Sequence, residues 1–234
     1  MIIDAALTPA DIACLPGRDL GGITCIVFDI LRATSSMVTA LAHGAAEILP
    51  VKTIEEALEL KGQMPDALLG GERHGERIKG FDLGNNPFEY AALAGRRVIS
   101  TTTNGTVALR ACECAQRVLV GALLNLAALR DEIARARPGH LLLVCAGTFE
   151  TFALEDALAA GLLAMEFADA DLTDAARAAV ATARAFPSPL DGLLASRNGR
   201  ALLGRGWRDQ VEWCAQVSRF GVIGAMNAGI IRSL

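Results

Sequence analysis

A carboxylate, a guanidinium and three hydroxyls follow directly after a run of four apolar residues near the start of the chain. They are Asp29, Arg32, Thr34, Ser35 and Ser36. A carboxylate at the end of a buried strand needs a hydrogen-bonding partner or a metal ion. Free N–H groups and hydroxyls at the start of a helix bind anions. The segment therefore predicts an anion site beside a carboxylate.

A second hydroxyl-rich segment stands between another predicted strand and another predicted helix. Its residues are Thr101, Thr102, Thr103, Asn104 and Gly105. The glycine lets the backbone approach a phosphate closely. Because ordinary helix N-caps use the same residue types, each cluster alone is also explained by capping. The convergence of several clusters is what favours a ligand site.

Two adjacent carboxylates, Glu155 and Asp156, follow a third apolar strand predicted over residues 141–146. Neighbouring residues on a helix point about 100° apart, so only one of the pair is expected to bind a metal directly. The other would support it from behind or act as a general base. If the three strands are parallel, all three polar segments lie at the carboxyl edge of one sheet, where open α/β sheets bind ligands.

The segment 70–87 is long, charged and rich in glycine, which is unusual for a connection inside a domain unless it has a function. Two apolar residues within it are expected to anchor the segment and to hold Glu72, Arg73 and Asp82 inward. His74 has no evident partner in the sequence. We therefore expect it at the surface rather than as a general acid.

Several common catalytic motifs are absent. The chain contains no phosphate-binding loop ending in Gly-Lys-Ser/Thr, no Gly-x-Gly-x-x-Gly after a strand and no Gly-x-Ser-x-Gly elbow. A phosphatase that forms a phospho-aspartate would carry a second Asp two residues after Asp29, where Leu31 stands. A covalent aspartyl intermediate is therefore not predicted.

Composition excludes several further classes of function. The 234 residues are 52% hydrophobic and 21% charged, with a formal net charge of −4. No basic stripe is present, which argues against nucleic-acid binding. No apolar stretch approaches the roughly 18 residues of a membrane span, and no secretory leader is evident. The six cysteines lack zinc-site spacing, so we expect reduced thiols and a cytoplasmic location.

Short β-branched runs alternate with Ala- and Leu-rich stretches, a pattern typical of α/β layer folds. Strands are predicted at residues 23–29, 46–51, 67–71, 97–100, 117–120 and 141–146. Helices are predicted at residues 35–43, 54–62, 106–114, 123–135 and 153–167. From about residue 170 helices follow one another, and residues 221–234 are expected to add an edge strand. We predict one domain over residues 1–234 with a helix-rich C-terminal part.

Four motifs, taken together and in order along the chain, resemble the 2-phosphosulfolactate phosphatase family. They lie at residues 27–36, 71–73 with 80–85, 102–106, and 145–147 with 154–156, and the match extends to residues 196–199 and 202–203. The resemblance implies a three-layer α/β/α fold with a mixed, largely parallel central sheet. It also implies Mg²⁺-dependent hydrolysis of 2-phospho-3-sulfolactate to 3-sulfolactate and phosphate, within coenzyme M biosynthesis.

Within that hypothesis the residues have specific expected roles. The expected catalytic residues are Asp29, Arg32, Glu155 and Asp156. Candidate Mg²⁺ ligands are Asp29, Glu155, Asp156, Glu72 and Asp82, since Mg²⁺ binds one or two carboxylates together with waters and phosphate oxygens. Expected substrate-binding residues are Thr34, Ser35, Arg73, Thr101, Thr102, Thr103, Asn104 and Gly105.

Two alternatives remain open from the sequence. The chain could hydrolyse another small acidic phosphoester, or it could bind a phosphorylated metabolite without catalysis. Carboxylates beside the anion-binding segments argue against a pure receptor, because added negative charge weakens anion binding unless a cation intervenes. In each case the partner is a small phosphorylated acid, and the Ala- and Leu-rich helices predict a homodimer.

Overall fold

The computed structural model describes residues 1–234, and its eleven strands form one mixed sheet. The strands are β1 (Ile2–Ala6), β2 (Ile23–Phe28), β3 (Glu47–Pro50), β4 (Leu68–Arg73), β5 (Glu76–Arg77), β6 (Arg97–Thr101), β7 (Arg117–Gly121), β8 (His140–Cys145), β9 (Asp171–Leu172), β10 (Gly224–Asn227) and β11 (Ile230–Ser233). Their order across the sheet is β5-β4-β6-β3-β11-β10-β7-β2-β8-β1-β9.

Ten α-helices accompany the sheet. They are α1 (Pro9–Ala13), α2 (Ala33–Ala42), α3 (Ile54–Gln63), α4 (Gly105–Ala111), α5 (Leu126–Ala136), α6 (Leu154–Met165), α7 (Asp174–Arg184), α8 (Pro189–Ala195), α9 (Arg197–Gly204) and α10 (Arg208–Cys214). Single 3-10 turns lie at Leu15–Gly17, Pro87–Tyr90 and Leu123–Asn125. Every helix falls short of the length and apolarity that a membrane crossing requires.

The prediction of a three-layer α/β/α fold is confirmed. Every residue of β2 is buried, and alternate side chains of a strand point to opposite faces, so both faces of the sheet are covered there. α4 packs against β2 and β3, whereas α6 packs against β8 and α7. One apolar core extends from Ile3 in β1 to Ile231 in β11, and it includes Leu193 and Leu202 of the C-terminal helices.

The last two strands lie inside the sheet, so the prediction of an edge strand at residues 221–234 is wrong. β10 and β11 form a hairpin inserted between β7 and β3, antiparallel to both. Ile231 is fully buried opposite Ile48. The apolar, glycine-rich sequence is equally suited to an edge or an interior position, and only the long-range pairing decides between them.

The hairpin joins two parallel blocks of strands. β4, β6 and β3 form one block, and β7, β2, β8, β1 and β9 form the other. Three successive antiparallel pairings separate the blocks, so their strands run in nominally opposite directions. The expectation that the strands before all three polar segments are parallel to one another is therefore correct for β2 and β8 and wrong for β6.

Sheet twist explains how the loop after β6 still reaches the ends of β2 and β8. Neighbouring strands rotate by about 20–25°, which accumulates to roughly 100–125° over the five steps from β2 to β6. A rotation of that size would compensate for much of the reversal in strand direction between β2 and β6. Accordingly, α4 begins immediately after the loop that follows β6, and its first residue, Gly105, lies against Asp29.

The predicted strands all agree with observed strands to within two residues at each end. β1 was not predicted, because it is short and carries Asp4 in its middle. In the structure Thr173 donates a hydrogen bond to Oδ1 of Asp4 at 2.7 Å, which gives this carboxylate a partner from a distant turn. The succession of helices after residue 170 is present as α7 to α10.

Candidate active site

A cavity of about 320 Å³ opens where the loops after β2, β4, β6 and β8 meet the C-terminal helices. Its walls carry groups of opposite charge. The carboxylates are those of Asp29, Glu72, Glu155 and Asp156, and the guanidinium groups are those of Arg32, Arg197 and Arg205. The structure therefore brings together acidic residues from three separate segments that the sequence indicates.

Asp29 stands immediately after β2 and is held by the turn that leads into α2. The Thr34 hydroxyl donates to the backbone oxygen of Asp29 and accepts from its N–H, both at 3.0 Å. The N–H of Ala33 donates to Oδ1 of Asp29 at 3.2 Å. The pKa of Asp29 is raised to about 7, mainly by burial and also by the charges of Glu72 and Glu155, while the backbone N–H groups of Ala33 and Gly105 act in the opposite direction.

Asp156, in the first turn of α6, ties two loops together. Its Oδ1 accepts from the N–H of Ile30 at 2.8 Å, and its Oδ2 accepts from the N–H of Gly147 at 3.1 Å. Burial, with the nearby charges of Glu155 and Asp29, holds the pKa of Asp156 well above its usual range. Because both oxygens bind backbone, Asp156 supports the site from behind.

Glu155 has a different environment from its neighbour. Nδ2 of Asn198 donates to Oε1 of Glu155 at 2.6 Å and to the hydroxyl of Thr148 at the same distance. The Glu155 side chain is almost fully buried, and this burial raises its pKa. The two adjacent carboxylates thus differ in their partners, as their 100° separation on the helix suggests.

Glu72, near the end of β4, links the loop after β6 to the turn between β4 and β5. The N–H of Thr103 donates to Oε1 of Glu72, and the N–H of Gly75 donates to Oε2, both at 2.7 Å. Charge-assisted bonds to backbone N–H groups of this length fix a carboxylate firmly. Glu72 therefore organises two of the loops that surround the cavity.

Arg32 is buried with neutral partners only. Its Nη2 donates to the backbone oxygen of Gly75 at 2.9 Å, and its Nη1 donates to Oε1 of Gln210. The guanidinium carbon lies 4.9 Å from the centre of the Trp207 ring. Burial lowers the pKa of Arg32. Because no carboxylate is paired with Arg32, its positive charge is available to an anionic ligand.

Two hydroxyls predicted to bind substrate are instead used by the turn after β2 and do not line the cavity. Thr34 caps the backbone of Asp29, and the Ser35 hydroxyl donates to the backbone oxygen of Ile30 at 2.9 Å. Short hydroxyl side chains in a first helical turn readily satisfy nearby backbone groups, and here that local role is the one realised. Both residues position Asp29 and Arg32.

Arg73 and Thr101 bind each other rather than the cavity. Nη2 of Arg73 donates to the Thr101 hydroxyl at 2.9 Å, and Nη1 donates to the Thr101 backbone oxygen at 3.2 Å. Asp82 accepts from the N–H of Leu69 at 2.8 Å, so its carboxylate secures the loop to β4. The structure therefore places Arg73, Thr101 and Asp82 outside the group of side chains that face the cavity.

The loop after β6 divides between capping and lining the cavity. The hydroxyl of Thr102 accepts from the N–H of Thr106, and the hydroxyl of Thr106 accepts from the N–H of Thr102, so these two residues close the start of α4. Gly105 packs against Asp29. Thr103 and Asn104 line the cavity. The Thr103 hydroxyl oxygen is buried and has no hydrogen-bonding partner within the protein.

Sequence reasoning missed the contribution of the C-terminal helices. α9 supplies Arg197 and Asn198, and Gln210 of α10 holds Arg32. The segment 196–199 was part of the resemblance, which was the available signal for α9. Gln210 lies in an amphipathic stretch with no motif, so only the three-dimensional contact identifies it. His74 is exposed, as predicted, at the mouth of the cavity.

The carboxylates fit a magnesium ion better than a fully protein-enclosed metal. No three side chains of the His, Cys, Asp or Glu types converge as a ready set of metal ligands. Mg²⁺ usually binds one or two carboxylates and completes its shell with waters and phosphate oxygens. Both oxygens of Glu72 and of Asp156 accept backbone N–H groups, which leaves Asp29 and Glu155 as the carboxylates best suited to such an ion.

Comparison with known proteins identifies the family of this chain. A family model described as 2-phosphosulpholactate phosphatase matches residues 12–229. The chain belongs to the 2-phosphosulfolactate phosphatase family. All the residues described above as facing the cavity lie within the match to this family.

Several relatives named probable 2-phosphosulfolactate phosphatase align with this chain over most of their own length. The protein from Deinococcus radiodurans is 40% identical over 210 residues, which cover 87% of this chain and 88% of the relative. The Carboxydothermus hydrogenoformans protein is 38% identical, with 85% and 84% covered. The Thermotoga maritima protein is 35% identical, with 94% and 96% covered. The family resemblance therefore includes the C-terminal helices that complete the cavity.

Proposed function

We propose that this chain hydrolyses 2-phospho-3-sulfolactate to 3-sulfolactate and phosphate, with Mg²⁺ as its cofactor. The observation that carries the proposal is the buried Arg32, without an acidic partner, in a cavity with four carboxylates. Buried charges need compensation. A phosphoryl group complements the guanidinium and a divalent cation complements the carboxylates, so a phosphate ester with Mg²⁺ satisfies both sides. The names of the relatives supply the identity of the ester.

Asp29 and Glu155 would hold the magnesium ion. When bound, the ion neutralises charge on the phosphoryl oxygens and lowers the pKa of water. Asp156 keeps the loops after β2 and β8 at a fixed spacing through its two backbone hydrogen bonds. Glu72 likewise holds the loop after β6 next to the turn between β4 and β5 through its two backbone hydrogen bonds. The chain thus presents preformed walls, which hold the phosphoryl group and spare the cost of reorganisation.

Phosphoryl transfer to water spreads charge over the three non-bridging oxygens and needs positioning more than covalent chemistry. The planar guanidinium of Arg32 binds two of these oxygens as a fork. The unpaired hydroxyl of Thr103 is the second donor that we assign to the phosphoryl group. Water adds to phosphorus and gives up a proton, the bond between phosphorus and the C2 oxygen breaks, and that oxygen takes up a proton.

The proposal extends to the setting of the enzyme. All six cysteines are unpaired, which supports a reducing compartment such as the cytoplasm. A homodimer and a role in supplying sulfolactate for coenzyme M biosynthesis complete the proposal. Size-exclusion chromatography with light scattering measures the dimer directly, and a monomer at micromolar concentration would contradict it.

Phosphate release tests the function. Purified protein is incubated with 2-phospho-3-sulfolactate in Mg²⁺ and, separately, in excess chelator. We expect release with Mg²⁺ and none with chelator, a loss of at least 100-fold in Arg32→Gln, and unchanged turnover in Arg208→Gln. Arg208 is an exposed arginine of α10 that pairs with Glu212 and does not face the cavity.

Two results would contradict the proposal in different ways. Equal or faster release from other acidic phosphoesters would assign a different substrate. Thermal stabilisation by the ester without phosphate release, in the presence of Mg²⁺, would assign a binding protein instead.

A further inference from the structure

We infer that Arg197, at the start of α9, binds the sulfonate of the substrate and thereby sets the specificity of the site. The inference rests on the proposed function, because it names the group that distinguishes this substrate from simpler phosphorylated hydroxy acids. It concerns a part of the cavity that the phosphoryl-binding residues leave open.

Arg197 is a cation of the cavity wall without a charged partner. Its nearest polar contact is a long one, 3.5 Å from Nη1 to the hydroxyl of Thr151, and its guanidinium carbon lies 5.8 Å from the centre of the Phe149 ring. Arg205 also lines the cavity, but it is occupied, because its Nη1 is 2.9 Å from a carboxylate oxygen of Glu76. Arg197 is therefore the exposed guanidinium of the cavity that is available to a ligand.

The position of Arg197 is fixed by its neighbours. The hydroxyl of Ser196 caps α9 by accepting from the N–H of Gly199 at 2.9 Å. Asn198, the next residue, is bonded to Glu155 and to Thr148 at 2.6 Å. The start of α9 is thus attached to the carboxylate side of the site, and Arg197 extends from an anchored backbone rather than from a free loop.

Arg32 and Arg197 lie on different walls. Arg32 is held by Gly75 and Gln210, whereas Arg197 contacts Phe149 and Thr151 in the loop after β8. Two guanidinium groups set apart in one cavity complement a ligand that carries two separated anions.

The covalent structure of the proposed substrate selects the sulfonate for Arg197. Counted from the ester oxygen, the sulfonate sulfur lies one bond farther away than the carboxyl carbon. The sulfonate is therefore the group that reaches the rim when the phosphoryl group is beside Arg32. A guanidinium fork binds two oxygens of such a group, and the Phe149 ring restricts the fork in orientation.

Binding of product analogues tests the inference without requiring catalysis. Calorimetric titrations in Mg²⁺ compare 3-sulfolactate, malate and lactate, which carry at C3 a sulfonate, a carboxylate and no anion. We expect Arg197→Gln to weaken sulfolactate about tenfold or more, malate less and lactate not at all. Arg197→Lys keeps the positive charge but lacks the two-pronged guanidinium, so its affinity for sulfolactate should lie between those of the wild type and Arg197→Gln.

The matched control is Arg200→Gln on the same helix. Arg200 is exposed, bonds to the backbone oxygen of Ala195 and does not line the cavity, so this variant should bind all three ligands as the wild type does. Equal losses for sulfolactate and lactate in Arg197→Gln, or no loss for either, would overturn the inference.

The same variants separate this inference from the proposed function. If the wild type releases no phosphate but Arg197→Gln still selectively loses sulfolactate, the hydrolase assignment fails and the sulfonate assignment stands. If the wild type releases phosphate and the variant does not discriminate, the reverse holds. A wild type that binds sulfolactate no better than lactate contradicts the sulfonate assignment directly.

Discussion

Gly105 touches the carboxylate of Asp29 so closely that no side chain fits between them. A Cβ added at Gly105 would lie 2.6 Å from Oδ2 of Asp29 and 2.7 Å from Cβ of Ala33. The backbone of the first residue of α4 thus lies against the carboxylate at the end of β2, and the nearby N–H group of Gly105 opposes the rise in the pKa of Asp29. The contact connects the two oppositely directed blocks of the sheet at the site.

Gly105→Ala should reduce both stability and activity more than the small volume of the added methyl group suggests. Overpacking of this kind lowers the free energy of unfolding by about 1–3 kcal/mol. A carboxylate displaced by about 1 Å costs roughly 100-fold in turnover. Urea unfolding and phosphate release measure the two effects. Gly62→Ala in α3 is the control, because nothing lies within 4 Å of its added Cβ, and it should be neutral or slightly stabilising.

Asp29→Asn should abolish Mg²⁺-dependent turnover while the fold is retained. The amide keeps the shape of the side chain but removes the negative charge that would hold the cation. Asp82→Asn is the comparison, since Asp82 binds the backbone of Leu69 away from the cavity, and it should lose stability rather than turnover at saturating substrate. Circular dichroism and phosphate release check both variants. Full activity in Asp29→Asn would remove Asp29 from the metal site.

Gln210→Glu should raise KM more than it lowers kcat. Gln210 is a neutral acceptor for Arg32, and a carboxylate of the same shape would pair with the guanidinium and compete with substrate. We expect an increase in KM of about tenfold. Gln210→Leu removes the acceptor without adding charge, so a similar KM in both variants would show that charge at this position is unimportant. Steady-state kinetics over a substrate series provides the comparison.

Stability without divalent cations should fall as the pH rises from about 4 to 7. Asp29 titrates near 7 in the folded chain and near its usual 3.8 when unfolded, so between these values only the unfolded chain gives up this proton. The contribution of Asp29 to the free energy of unfolding is fully present below pH 3.8 and is lost as the pH rises to 7. The raised pKa values of Glu155 and Asp156 act in the same direction.

Melting temperatures in chelator at several pH values measure this slope. Asp29→Asn should flatten it in part, and Mg²⁺ at pH 8 should stabilise the wild type more than the variant. A wild type whose melting temperature rises between pH 4 and 7 in chelator would contradict the raised pKa of Asp29.

Strands and their polar ends could be predicted because they depend on local sequence. The apolar run before Asp29 and the hydroxyls after it identified both β2 and the start of α2. The sequence does not predict which hydroxyls face the cavity. Thr34 and Thr103 are the same residue type, and a threonine can either cap a helix or bind a ligand. The difference is set by backbone directions that differ between the two loops.

Long-range pairing was the part that the sequence did not determine. The sequence predicts the loop after β6 at the site only on the assumption that β6 is parallel to β2. The loop does reach the site, but its strand lies in the oppositely directed block, and twist brings its end back. Gln210 and Arg197 come from helices that have no sequence connection to the sheet edge. Their roles depend on where α9 and α10 dock.

The interior position of the β10–β11 hairpin has a consequence for how the molecule is assembled. Every other strand precedes it in the chain, so during synthesis both blocks emerge while the gap between β7 and β3 is still open. Until residues 224–233 arrive, each block exposes an unpaired strand that can associate with other chains. Contacts this distant in sequence also form slowly. Nascent or truncated chains that lack the hairpin are thus the species that chaperones would have to protect.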